Sequence, residues 1–329
     1  MRRIFDGVRE QAKDQPMNGS IAASYLDGDR NGRLHLQHGP IDLVIGVGDH
    51  DRVGNAGVER QRALAFQVAY ARFATVLEEL VGELSLLKMP HGATNPRPSS
   101  PIAQRMVDAV THFSNHHFIT PMAAVAGSVA DEIVSAILVA CQGDDRPSRL
   151  YVNNGGDIAL HLASKEAFEI GIADESGSAL GRFQVSGQEP NRGIATSGRG
   201  GRSLSMGIAD SVTVIARSAA MADAAATLIG NAVDLPGHAA IARAAANSIK
   251  DDSDLGERLV VTACGALNDD DIAQALDAGE VLARHFMAKG LVARCALFLK
   301  GRSRIVTPNP IPMLSSKATA FIPEERHYA

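Results

Sequence analysis

Residues 219–232 read AAMADAAATLIGNA, and seven of the fourteen are alanine. A second run, Met122–Cys141, is built the same way, from Ala, Gly, Ser, Val and Ile. Both runs favour helix. Side chains this short bury area only when a neighbouring backbone comes close. The whole chain shares the constraint, with 10 Phe, 4 Tyr and no Trp. Its core must therefore be aliphatic and tightly packed. Few stacking platforms, together with a net charge of −5, exclude a general nucleic-acid binder.

The 329 residues are 45% apolar and 21% charged, as in a globular protein. We read one domain over 1–329, with no boundary that the sequence resolves; one long domain with additions at both ends fits as well as two domains. Cys141, Cys264 and Cys295 sit singly in apolar runs, which predicts buried, reduced thiols in a cytoplasmic protein rather than a disulfide framework or zinc site. The N-terminus has two arginines but no apolar h-region, so no signal peptide is expected. Asp131 and Glu132 lie in the middle of Met122–Cys141, which argues for a buried helix and against a membrane span.

Alternation around His38-Gly39-Pro40 predicts a hairpin of Leu34–His38 with Ile41–Val47. Three- and four-residue spacing predicts a long helix from Gly57 to Lys88, broken near Gly82, and a short one over Ile102–Phe113. Strands are expected at Leu150–Val152, Ile158–Leu162, Phe168–Ala173, Gly181–Val185, Ser211–Ala216, Leu259–Cys264 and Val292–Leu299. A capped helix is expected at Asp269–Lys289, and a Pro-rich loop from Thr307 on. The class is α+β, with mixed sheets covered by closely packed small-residue helices.

Four segments could carry chemistry. Gly127 and Ser128 open a helix whose free N–H groups could receive a phosphate, or they form an ordinary packed helix start. Asn154-Gly155-Gly156-Asp157 could let a backbone approach a ligand, or form a hairpin turn. Gly193–Arg202, with Thr196, Ser197, Gly198 and Arg199, could hold phosphates or a carboxylate, or be a surface loop. Asp223 and Thr227, four apart on a helix of alanines, offer a carboxylate and a hydroxyl suited to Mg²⁺. The eleven histidines show no metal-binding spacing, and Gly46-Val47-Gly48-Asp49 is a poor dinucleotide fingerprint.

Taken in order, these segments resemble the ApbE-type flavin transferase superfamily, most closely its bacterial and archaeal branch. Ser211-Val212-Thr213-Val214 with Ala222-Asp223-Ala224-Ala225-Ala226-Thr227 is similar to the family's S-V-T-V strand and A-D-A-L-A-T helix. Asn154–Ile158 is similar to its G-G-D segment, Gly193–Gly198 to its I-A-T/V-S-G segment, and Val125–Asp131 to its I-A-K-G-x-x-x-D helix. The motif core spans about residues 120–230, and the fold implied is T-fold-like. The resemblance implies FAD and Mg²⁺ as cofactors and transfer of FMN to a threonine of a partner protein. It makes Asp223 and Thr227 metal ligands, with Gly127, Ser128, Asn154–Asp157 and Thr196–Arg199 lining the nucleotide pocket. Two features of the transferases are missing. No histidine or D-P-R-T-G stretch lies between Gly198 and Ser211, and the K-G lysine is Ala126. The reading is therefore an ApbE-like enzyme with a metal- and phosphate-type pocket, FAD-binding or with no cofactor at all, in which transfer is the less supported step. The alternatives are a small-molecule catabolic enzyme using Asp131, Asp157 or Asp210 as acid or base, and a non-catalytic flavin- or nucleotide-binding protein. The expected partners are a small-molecule or nucleotide ligand and further copies of the chain, with neither nucleic acid nor membrane. The Ala-rich faces could pack inside the chain or across a dimer.

Overall fold

The computed structural model describes residues 21–26, 32–48, 56–173, 179–201 and 203–308. The N-terminal segment, Asp49, Arg202 and the Pro-rich end from 309 lie outside them. A nine-stranded sheet carries the structure. In chain order its strands are β1 (Ala22–Leu26), β2 (Arg33–His38), β3 (Ile41–Val47), β4 (Arg149–Asn154), β5 (Asp157–Leu162), β8 (Gly193–Ser197), β9 (Ser211–Ala216), β12 (Arg294–Leu299) and β13 (Arg302–Val306). They neighbour one another in that same order, and every pairing is antiparallel. Two separate hairpins, β6 (Ala167–Ala173) with β7 (Ala179–Ser186) and β10 (Ile241–Ala245) with β11 (Leu259–Cys264), complete the strands.

The main helices are α1 (Ala56–Gly82), α3 (Pro101–Thr111), α4 (Val125–Ala140), α5 (Ala219–Ala232) and α7 (Asp269–Ala288). Two single-turn pieces are α2 (Leu84–Leu87) and α6 (Ala246–Ile249). The alternation of the strands decides what each sheet face meets. Val212 and Val214 of β9 join the core with α5 and α7, while Leu43, Ile45, Leu150 and Val152 join the core with α1, α3 and α4. The residues between them, such as Leu160, Ile194 and Ile215, face Phe183 and Val185 of the β6–β7 hairpin on the other side.

The predicted hairpin forms as β2 and β3, in register at His38 and Ile41. The long helix breaks after Gly82, as expected. Four strands differ from the sequence reading. Gly193–Ser197, expected as a loop, is a central strand, while β1, β10 and β13 carry no clear alternation and were not anticipated. β8 is short and polar at its end, and it owes its place to burial between β5 and β9. Its first residue must be glycine, because a Cβ at 193 would lie 1.9 Å from the carbonyl carbon of Ser218.

The small-residue helices pack on each other inside the chain. A Cβ at Gly127 of α4 would lie 2.2 Å from the carbonyl oxygen of Ala219 in α5. Of the described helices, the stretch Pro121–Ala140 alone is long and apolar enough to cross a membrane, and half of its apolar window is buried in the fold. Its central Glu132 is buried in an ion network, accepting from Arg72 Nε of α1 at 2.9 Å and from Arg105 of α3 at 3.0 Å. Arg72 in turn makes a two-pronged contact with Glu79 at 2.7 and 2.8 Å. Glu132 thus ties α4 to α1 and α3.

Gly127→Ala should lower stability by about 3 kcal/mol, because backbone rather than a flexible side chain opposes the added methyl. Urea denaturation of the variant against the parent checks this. An unchanged midpoint would mean that the helix contact is not as close as described.

Candidate functional site

The first N–H groups of a helix lack partners within it. Ala124 precedes α4 and has no side chain that could accept from them. The acceptor comes instead from α5. Asp223 Oδ2 receives the Gly127 N–H at 3.0 Å, and the Ala126 N–H also donates to this carboxylate. The exchange is mutual. Asp131 of α4 receives the N–H groups of Ala219 and Ala220, at 3.1 and 2.9 Å, at the start of α5. Ser218 caps the next, accepting from Met221 at 3.2 Å. Each helix therefore carries the cap of the other, with Gly127 at their contact.

The β4–β5 hairpin brings two more polar residues against this junction. Gly155 and Gly156 turn with positive φ, so this segment is a hairpin turn, and Asn153 Oδ1 accepts the Gly156 N–H at 2.9 Å. Asn154 Nδ2 donates to the Ala126 carbonyl at 3.1 Å. The ladder between β5 and β8 runs through Ile158–Ile194 and Ala159–Gly193, and then Asp157 Oδ1 takes the Thr196 N–H at 3.3 Å. Asn154 and Asp157 are both buried.

The result is a row of three carboxylates, Asp131, Asp223 and Asp157, contributed by α4, α5 and β5. None forms an ion pair among the described residues. Burial pushes all three carboxyls up. Asp157 is pushed well above the carboxylate range, by burial and then by the charge of Asp223. Asp223 is raised to about 7 by burial, helped by Asp131 and opposed by the two N–H groups it caps. Burial therefore favours the neutral form of each carboxyl, and a positive charge brought close would favour the ionised one.

Several sequence expectations change here. The N–H of Gly127 is already bonded to Asp223, so it is not free for a phosphate, and the glycine serves the helix contact. Ser128 is fully buried, and its hydroxyl finds no partner among the described residues. Thr196 shares the face of Ile194, and its hydroxyl bonds Thr213 at 2.9 Å, so side chain and carboxylates lie on opposite faces of the sheet. Ser197 alternates back toward the helices. Gly198 passes under the Asp210 carbonyl, where a Cβ would lie 2.5 Å from that oxygen. Arg199 is engaged by Asp210 at 2.6 Å, and Asp210 also receives the Lys300 N–H at 2.5 Å. Asp210 is thus a tie between loops and makes no contact with the three carboxylates among the described residues. Thr227 lies one turn beyond Asp223, with no side-chain hydrogen bond among the described residues. No group of three or more His, Cys, Asp or Glu side chains able to hold a metal occurs among the described residues. Sequence reasoning named Asp131, Asp157 and Asp223 singly. It missed the crossed capping, whose one visible signal is an Asp in each of two helices that start without a complete cap.

Residues 23–305 match the family described as "AbpE bacteria". The chain belongs to this family. A UPF0280 protein of Methanothrix thermoacetophila is 42% identical over 137 residues, 40% of this chain and 52% of that protein. A UPF0280 protein of Methanococcus vannielii is 36% identical over 137 residues, 39% of this chain and 51% of the other. The chain spans about half the length of the curated relatives it matches. Among solved structures, the ApbE protein of Thermotoga maritima is 14% identical with a TM-score of 0.37, covering 86% of this chain and 97% of that one. The apo flavinyl transferase ApbE of Pseudomonas stutzeri is 11% identical with a TM-score of 0.40, covering 90% and 97%.

The carboxyl of Asp223 ionises near 4 in the unfolded chain and at about 7 in the fold. Between those values the folded state holds the extra proton, so this group's contribution to stability is complete below about pH 4 and is lost as pH rises through about 7. Asp223→Asn should flatten that fall. Urea midpoints measured from pH 4 to 8 on both proteins check it, and parallel profiles would contradict it.

Proposed function

We propose that this ApbE-family protein binds a pyrophosphate-bearing nucleotide, FAD in the family reading, through a divalent cation held at Asp157 and Asp223. The observation that carries the reading is the buried Asp157 carboxylate within charge-coupling reach of the half-buried Asp223, with no ion pair to either among the described residues. Asp223 takes the Gly127 N–H on Oδ2, at the start of α4. Asp157 commits one oxygen to Thr196 and keeps the other. Thr227 adds an unengaged hydroxyl on the same helix. Two carboxylates and a hydroxyl are too few to enclose a metal, and no three-acid cluster occurs among the described residues. They suit Mg²⁺, which keeps waters and phosphate oxygens in its shell. The cation would neutralise the pyrophosphate and polarise its phosphorus. Asn154 and Asp131 act at a distance from the ligand, by holding the start of each helix in place.

Transfer of FMN to a threonine acceptor is the family's reaction, and the stretch 199–210 that would bear its histidine has none. In this chain that stretch is anchored by the Arg199–Asp210 pair. Binding is accordingly the function we assign, with transfer as a property to be measured. The raised Asp157 carboxyl favours one further reading, a general acid for a small-molecule substrate in the same place. Asp131 and Asp210 do not suit that role, because both are engaged in structural bonds.

The test is titration of FAD into the purified protein with and without Mg²⁺, read by flavin fluorescence, then incubation with a threonine-bearing acceptor protein. Mg²⁺-dependent binding is expected, weakened by roughly tenfold or more in Asp223→Asn. Failure to bind FAD under either condition would exclude the nucleotide reading.

A further inference from the structure

We propose that the groove between α5 and α7 binds a small amphipathic anion, an apolar body ending in a carboxylate, which His117, His285 and Asn231 recognise. This site is separate from the Asp157–Asp223 pair, and none of its residues belongs to the matched motifs apart from the end of α5. The groove has a volume of about 510 Å³, and its walls include Phe118, Leu228, Val281 and Leu282. That is the size and character of a small-molecule site.

The α7 wall is a stripe at Ala278, Val281, Leu282 and His285, the spacing of one helix face. It is a different face from the one that α7 buries through Ile272, Ala275, Leu276, Gly279, Ala283 and Phe286. Val281 is left 70% exposed. Leu282 of this stripe packs against the rim of the core, while Val281 is left on the open side of the groove.

The polar groups are few and fixed. The ring of Phe286 lies 5.5 Å from that of His117 and 6.1 Å from that of His285, holding both imidazoles at the groove. Neither makes a hydrogen bond or ion pair among the described residues. Asn231 Oδ1 accepts the Met206 N–H at 3.0 Å, which leaves its NH₂ as the unengaged end. Each of these groups offers an N–H donor. Basic side chains lie close by. His116, His285 and Lys289 all act, after burial, to hold His117 below the ordinary imidazole range. The Arg258 guanidinium lies 3.4 Å above the Phe118 ring centroid. No Asp or Glu lines the groove. Apolar walls with N–H donors, and with basic side chains rather than acids close by, select a carboxylate with an apolar tail over an uncharged or cationic molecule.

Octanoate is the probe, with octan-1-ol as its uncharged counterpart, titrated into the full chain and followed by histidine ring NMR signals. Saturable shifts of the His117 and His285 signals are expected, with the alcohol binding roughly tenfold more weakly. Val281→Glu places a like charge at an exposed wall position where folding is not at stake, and should weaken octanoate by a similar factor. His285→Gln should weaken it while leaving Mg²⁺-dependent FAD binding unchanged. Equal binding of acid and alcohol, or unaltered octanoate affinity in Val281→Glu, would overturn the proposal. So would a titration whose only effect is to dissociate a dimer, which would assign the groove to a second copy of the chain.

Discussion

The crossed capping of α4 and α5 is the interaction on which the rest of the molecule depends. Asp223 closes the start of α4, and Asp131 closes the start of α5. A helix start leaves unpaired donors and a partial positive charge, and a buried carboxylate needs both. Two helices that meet at their first turns can satisfy each other only if their backbones nearly touch. Gly127 permits that contact, and Gly193 lets the sheet approach the same corner. The alanines of α5 keep the approach close along its length.

This arrangement also creates the tension at the candidate site. The caps draw Asp131 and Asp223 inward, and the tight β4–β5 turn delivers Asp157 beside them. Backbone N–H groups offset part of the cost of burying the charges but leave the row without a full positive counterpart. Structure and chemistry therefore compete for the same carboxyl groups. Asp223 spends Oδ2 on the start of α4, so the proposed cation would be held by an acid that the fold already uses. Glu132, next to Asp131 in sequence, contrasts with this. Arg72 and Arg105 compensate it completely, and it serves only to join helices.

Much of the fold was readable in the residues. The β2–β3 hairpin showed in alternating or apolar runs about a Gly-Pro turn, α1 in its long three-and-four spacing, and α7 in an acidic start and a Lys289-Gly290 end. β8 was not readable, because Gly-Ile-Ala-Thr-Ser has one strong strand former and a glycine whose need arises from Ser218, a residue 25 positions further on. The same holds within the site. Asp223 and Asp157 stood out as acids in small-residue or glycine-rich settings. The engagement of the Gly127 N–H, the turning of the Thr196 hydroxyl to the opposite sheet face, and the use of Asp210 to hold Arg199 and Lys300 all come from partners far apart in the chain.

By itself, the sequence determined the class of the fold, the placement of most helices and strands, and the demand for close backbone packing, since local periodicity and side-chain size act over a few residues. It also carried the ordered motifs that mark the family. The tertiary structure alone decided which acids share one environment and which are spent as ties. Burial, charge coupling and hydrogen-bond partnership depend on distance in space, and here the decisive distances join α4 to α5 across some ninety residues of chain.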